Sequence, residues 1–253
     1  MAKLYLVGAG PGSPDLLTVK AARLLRAADI VFHDALIEPG VLELIQGKRV
    51  SVGKRCGAHS TAQHFINKRL IDAAARYDCV VRLKGGDPML FGRAQEEIDA
   101  LSDAGIEVEI VPGISAAFAA AADLKVSLTR RSKSRSVVFV TPRVGDDEDP
   151  SDYVKSVLAA DTAVVYMAGH ETRQVARALI QGGRDALWPV AIVVGASSGR
   201  PEIIRTSLLR LAGGLDKPQG SGPALLCMGD VFATADNAAI EALESVLAYP
   251  SVG

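Results

Sequence analysis

Two carboxylates stand where β-rich runs give out: Asp34 after Ile30 to His33, and Asp87 after Val80-Val81-Arg82-Leu83-Lys84-Gly85-Gly86. The glycine pair ahead of Asp87 lets the backbone reach positive φ and lets a ligand approach the main chain closely. Pro88 then sets the chain direction behind the carboxylate. Two further loops have the same small-residue character without an acid: Gly8-Ala9-Gly10-Pro11-Gly12 after the first strand, and Pro112-Gly113-Ile114-Ser115 after a later one. Open α/β sheets bind ligands at the carboxyl ends of their strands, so these loops mark a candidate site. The plainer alternative is a set of tight strand-to-helix turns with solvated aspartates.

A P-loop needs a GK[ST] ending to grip phosphate and magnesium, and none follows Gly8. The dinucleotide fingerprint comes closer, since Gly8-Ala9-Gly10 follows a strand and Asp34 stands about where a ribose-binding acid belongs. Ser13, however, occupies the position of the third glycine, and Pro11 removes a main-chain N–H from the turn that would cradle pyrophosphate. The pattern suits a compact ligand bound through backbone groups, without a phosphate-coordinating lysine. S-adenosylmethionine, an adenosine-bearing cation without phosphates, is one such ligand.

β-rich runs and amphipathic helical segments alternate almost throughout, which predicts an α/β protein with largely parallel pairing at its start. A first strand covers Lys3 to Val7. Ser13, Pro14 and Asp15 then read as a helix start, with Leu16, Leu17, Ala21, Leu24, Leu25 and Ala28 as its buried face. Ser60-Thr61-Ala62-Gln63 has capping-box spacing ahead of a helix that turns Phe65, Ile66, Leu70, Ile71 and Ala74 inward. A helix from Ala94 to Ala104 closes at Gly105, and a strand from Val108 to Val111 leads to an alanine-rich helix. Leu124 to Arg135 breaks the rhythm and carries Arg130-Arg131-Ser132-Lys133-Ser134-Arg135, so it reads as a linker between domains over 1–123 and 136–253. The second half predicts strands near Val137–Val140, Ala163–Met167, Val190–Val194, Ile203–Thr206 and Ala224–Met228. Its helices fall near Ser151–Ala159, Thr172–Gln181 and Ala235–Leu247.

A chain of 253 residues with 49% apolar content has ample material for a core, and a net charge of −1 argues against general nucleic-acid binding. No apolar run approaches the roughly 20 residues of a bilayer span, and the N-terminus enters a strand directly, which points to the cytosol. Cys56, Cys79 and Cys227 lack CxxC spacing, and His59, His64 and His170 lack metal-ligand spacing, so no metal is expected.

Taken together, four stretches resemble the tetrapyrrole (corrin/porphyrin) methylases: Val7 to Thr18; Gly53-Lys54-Arg55 with Gly57 and His59; Arg82 to Pro88 with Phe91-Gly92-Arg93 and Glu96-Glu97; and Val111 to Ala117. The likeness covers about residues 3 to 131, with patches beyond, and leans to the branch that methylates uroporphyrinogen III. It implies an α/β fold of two domains, each a mixed sheet flanked by helices, with the site in the cleft between them and a homodimeric assembly. It implies transfer of methyl groups from S-adenosylmethionine to two pyrrole carbons, giving precorrin-2 for sirohaem or cobalamin. The family's donor contacts fall on Pro11, Gly85, Gly86, Asp87, Leu90, Ser115, Ala116, Met167 and Ala196, its proton acceptor on Asp34 and its proton donor on Lys54. A substrate with eight carboxylates needs guanidinium forks, and Arg93 and Arg131 are favoured among Arg55, Arg93, Arg130, Arg131, Lys133 and Arg135.

Departures gather in the second half. Thr141-Pro142-Arg143 replaces a Thr-Gly-His run, Ala168 precedes Gly169, and Gly195-Ala196-Ser197-Ser198 replaces an acid-x-Gly-Thr run. These touch the choice of substrate more than the choice of methyl donor, because fold does not fix substrate. The rival readings are a methylase of a later precorrin and a non-catalytic ligand sensor.

Overall fold

The computed structural model describes residues 3–52, 59–142, 152–220 and 222–233. By contacts the chain divides into two units, Met1–Ala119 with Ser197–Gly199, and Ala120–Ala196 with Arg200–Gly253.

In the first unit β1 (Lys3–Gly8), β2 (Ile30–His33), β3 (Lys48–Ser51), β4 (Cys79–Lys84) and β5 (Val108–Val111) form one sheet in the order β3-β2-β4-β1-β5. Every pairing is parallel, so this sheet is purer than the mixed one expected for it. Strand side chains alternate between faces. Val7, Val31, Val81, Leu83 and Val111 meet α1 (Val19–Ala27) and α2 (Pro39–Leu42) on one face. Leu4, Ile30, Phe32 and Val80 meet α3 (His59–Ala74) and α4 (Ala94–Asp103) on the other. The connection leaving β1 leads to β2 on one side, whereas the one leaving β4 leads to β5 on the other. The adjacent pair β1/β4 is therefore the topological switch point, where such sheets open a ligand crevice.

Helix starts differ from expectation in two places. Ser13 and Pro14 begin only a 3-10 turn over Pro14–Leu16, and α1 is capped one turn later, where Thr18 Oγ1 accepts from the Ala21 N–H at 3.1 Å. α3 starts at His59, ahead of the expected cap at Ser60, and Phe65 turns outward with 59% of its surface exposed. At the far end of α4, Gly105 takes φ +72° and the Ile106 N–H reaches the Leu101 carbonyl at 2.9 Å, as its sequence position predicts. α5 (Ala116–Leu124) follows the Pro112–Ser115 loop.

In the second unit β6 (Val137–Val140), β7 (Thr162–Val165), β8 (Pro189–Val194), β9 (Glu202–Ser207) and β10 (Ala224–Gly229) take the order β6-β7-β10-β8-β9. β6 and β7 are parallel, and the remaining pairings are antiparallel, so this sheet is mixed. Helices α6 (Tyr153–Ala159), α7 (Thr172–Gln181) and α8 (Leu208–Gly213) flank it, around a core that includes Val165, Val175, Leu179, Ile192, Leu211 and Leu226. α8 was not expected; Ser207 caps it and Gly214, at φ +73°, ends it. The predicted helix over 235–247 lies outside the described residues.

Candidate functional site

Main chain builds the crevice at the β1/β4 carboxyl ends. The Ala9 N–H donates to the Lys84 carbonyl at 2.7 Å, and Gly10 and Gly86 exchange both of their hydrogen bonds, at 3.2 and 2.8 Å. The loops after β1 and β4 thus extend their parallel pairing into an isolated antiparallel bridge. Asp87 ties in the third loop: its Oδ2 accepts from the Gly113 N–H at 2.9 Å and its Oδ1 from the Met89 N–H at 2.8 Å. A single carboxylate therefore holds the β4 and β5 loops together.

The glycines of these loops serve two purposes. A Cβ on Gly113 would lie 2.3 Å from the Gly86 carbonyl oxygen, and one on Gly8 would lie 2.6 Å from Gly113 Cα, so the lack of side chains at Gly8 and Gly113 lets the three backbones touch. At Gly85 and Gly86 a Cβ would instead point into space with nothing within 4 Å, and Gly86 has φ +66°. That open side leaves bare main chain accessible to close approach. Pro11 and Leu90 are half-buried beside it in sequence, and buried Ser115, 6% exposed, accepts the Phe118 N–H through its carbonyl at 3.0 Å where α5 begins. Ala116 is the first residue of that helix.

Asp34 extends the Ile30/Phe32 face of β2, the face that carries Val80, Arg82 and Lys84 on β4. Arg82 Nη2 donates to Asp34 Oδ1 at 2.6 Å, and its Nε donates to Glu97 Oε1 at 3.0 Å. Its Nη1 donates to the Leu83 carbonyl at 3.1 Å. Glu97 Oε1 also accepts from Lys84 Nζ at 3.1 Å and from Gln63 Nε2 at 3.1 Å. The side chains of Arg82, Lys84 and Glu97 are 2%, 5% and 0% exposed, whereas that of Asp34 is 33% exposed. Burial, then the charge of Arg82 beside it, pushes the Lys84 ammonium below its ordinary range, against the pull of Glu97 and Asp34. Burial likewise opposes charge on Arg82, but Asp34 and Glu97 together hold its guanidinium above its ordinary value.

Other predicted residues are placed separately. Lys54 lies outside the described residues. Arg93 is exposed and left-handed at φ +54°, and its Nε and Nη2 both contact the Glu96 carboxylate at 2.6 Å, so its fork already faces an acid. Arg131 is exposed in a tight turn closed by the Arg130–Ser134 bridge. In the second unit Met167 follows β7 and Ala196 follows β8; both strands run antiparallel to β10, so both residues stand at the same end of that sheet. Met167 is 38% exposed with φ +56°, an uncommon conformation for an unbranched side chain and not that of an ordinary core methionine. Ala196 is 6% exposed.

Arg82, Lys84 and Glu97 were not singled out as site residues from sequence. The available signal was two cations at i and i+2 in a strand otherwise made of Cys, Val and Leu. Ions buried on one strand face require paired counter-charges.

Residues 3–212 match the family described as Tetrapyrrole (Corrin/Porphyrin) Methylases. A siroheme synthase of Psychrobacter cryohalolentis is 44% identical over 234 residues, covering 91% of this chain and 45% of that relative. The chain spans about half the length of the curated relatives it matches. The native form of a uroporphyrin III C-methyl transferase from Thermus thermophilus superposes with TM-score 0.81 at 34% identity, over 93% of this chain and 96% of that one. A structure of the Thermus thermophilus protein complexed with S-adenyl homocysteine gives TM-score 0.79 at 35% identity, over 91% and 98%. The glycine-walled crevice and its bridging aspartate thus sit in a chain that belongs to the tetrapyrrole methylases.

Proposed function

We propose that this chain transfers methyl groups from S-adenosylmethionine to two pyrrole carbons of uroporphyrinogen III, giving precorrin-2. The observation that carries the donor assignment is the open main-chain side of Gly85 and Gly86 at the sheet's switch point, next to the carboxylate of Asp87. A similar protein complexed with S-adenyl homocysteine supports it. Pro11, Gly85, Gly86, Asp87, Leu90, Ser115, Ala116, Met167 and Ala196 are the proposed donor contacts.

When bound, the donor supplies an electrophilic methyl group and a neutral thioether leaving group, so the protein's part is alignment and proton removal. An electron-rich pyrrole carbon attacks without prior activation. Attack leaves the methylated carbon quaternary and the ring positively charged, so the balancing proton must leave from the pyrrole N–H or an adjoining bridging carbon, and Asp34, partly exposed and gripped by Arg82, is the proposed acceptor. Lys54 is the proposed proton donor to the macrocycle. Arg93 and Arg131 are the proposed partners of substrate carboxylates; Arg93 would exchange its exposed Glu96 pair for them, which costs little because surface ion pairs are weak. A cytoplasmic homodimer is the proposed assembly.

Purified protein given uroporphyrinogen III and donor labelled in the methyl group should release S-adenosylhomocysteine and place two labelled methyls on each product. Transfer only to a later precorrin would move the assignment to another branch of the family. Binding of donor and substrate without any transfer would replace catalysis with sensing.

A further inference from the structure

Apolar side chains dominate the α3/α4 face of the first sheet: Leu4, Ile30, Phe32 and Val80 pack there against Leu70, Ala73 and Leu101. Within this packing lie one carboxylate and two cations, Glu97, Arg82 and Lys84. Taking such ions out of water costs several kcal/mol each, and apolar residues of similar volume commonly stabilise as well or better. Stability alone therefore gives no reason for charge at these positions. The geometry does give one. Arg82 spends all three of its nitrogens: one on Glu97, one on the Leu83 carbonyl and one on Asp34, which alone of the four ionised groups reaches solvent. Glu97 is held in turn by Lys84 and by Gln63 of α3, and its Oε2 has no hydrogen-bond partner among the described residues.

We propose that Glu97 is a positioning residue that fixes the Asp34 carboxylate through Arg82, with Lys84 balancing the charge. The two cations and two carboxylates cancel, so the guanidinium is neither pulled inward by excess negative charge nor driven outward by the neighbouring ammonium. The hydrogen bonds that Glu97 makes go to Gln63, Arg82 and Lys84, and none of these reaches Gly85, Gly86 or Asp87. Loss of Glu97 should therefore alter proton removal and leave the donor in place. This role rests on Asp34 being the proton acceptor.

The test compares Glu97→Gln, Glu97→Asp, Asp34→Asn and Lys84→Met/Glu97→Gln with the parent chain, reading kcat, KM for uroporphyrinogen III and the Kd of S-adenosylhomocysteine. Glu97→Gln should lower kcat roughly 10- to 100-fold, the usual cost of loosening a reacting group's support. KM and Kd should stay within about twofold, and Glu97→Asp, which keeps the charge, should recover part of the rate. If Glu97→Gln does not fold, the charge-balanced double variant replaces it and should show the same drop in kcat. Parent-level kcat in either variant overturns the proposal, as does an equal fall in kcat and in donor affinity, which would mark general loss of structure. Full turnover by Asp34→Asn would instead overturn the proton-acceptor reading beneath it, and the Glu97 role would fall with it.

Discussion

Gly113 offers the sharpest test of why the crevice is lined with glycine. An alanine Cβ there would sit 2.3 Å from the Gly86 carbonyl oxygen, where ordinary contact begins at 3.4 Å, so one backbone must retreat by about 1 Å. The Gly86 carbonyl also accepts the Gly10 N–H at 3.2 Å, and a retreat of that size breaks the bond. Overpacking of this kind costs about 1–3 kcal/mol, and one lost backbone hydrogen bond adds about 1 kcal/mol. Gly113→Ala should therefore lose about 2–4 kcal/mol of unfolding free energy, read from urea denaturation. It should also weaken S-adenosylhomocysteine binding in calorimetry, because the Gly85–Asp87 loop moves with the carbonyl. Gly85→Ala is the matched contrast. Its Cβ meets nothing within 4 Å, so stability should stay within about 0.5 kcal/mol, yet the methyl occupies the side proposed for the ligand and should cut affinity at least tenfold. Unchanged stability in Gly113→Ala, or unchanged affinity in Gly85→Ala, would refute the reasoning.

Three further outcomes are expected. Asp87→Ala removes the acceptor of the Met89 and Gly113 N–H groups and should cost about 2 kcal/mol in urea denaturation, with Asp87→Asn intermediate; equal stability in all three proteins would show that the bridge does not hold the loops. Burial pushes the Cys227 thiol up to about 12 from an ordinary 9.0, so its contribution is full below pH 9 and fades as pH rises toward 12, with about 1.4 kcal/mol gone by pH 10. Cys227→Ala should accordingly flatten the alkaline fall in unfolding free energy, and an equally steep fall in the variant would contradict this. Arg184 lies 4.0 Å over the Trp188 ring while its Nη2 donates to the Val157, Leu158 and Ala160 carbonyls at the C-terminal end of α6; Arg184→Ala should cost about 2 kcal/mol by thermal melting, and an unshifted melting temperature would count against that cap.

Local signals located most elements, and tertiary partners explain where they did not. The boundaries of α7 and β6 match their sequence reading because apolar spacing and turn residues agree there. Gly105 ends α4 because only a residue free at positive φ serves there. α8 escaped because six residues give too few turns for periodicity, and its cap, Ser207, also ends β9. Phe65 was expected inside together with Ile66, Leu70, Ile71 and Ala74, yet the buried stripe of α3 runs through Ile66, Leu70 and Ala73 and leaves Phe65 outside it. At the site, the glycine loops and Asp87 were legible because each is a local backbone requirement. The link from Glu97 through Arg82 to Asp34 was not, since it joins residues 48 and 15 positions apart across β2, β4 and α4. Sequence showed the cations of β4 but not their counter-charges. Nor did it show that Arg93 faces Glu96 or that Met167 adopts a left-handed conformation.

The most direct measurement is calorimetry on one preparation with S-adenosylmethionine, S-adenosylhomocysteine and NAD titrated separately. A crevice walled by bare main chain, with Asp87 committed to two N–H groups and no GK[ST] phosphate-gripping lysine in its first loop, should take both adenosyl compounds and release no heat with the dinucleotide. Heat with NAD and none with either adenosyl compound would contradict the methyl-donor assignment.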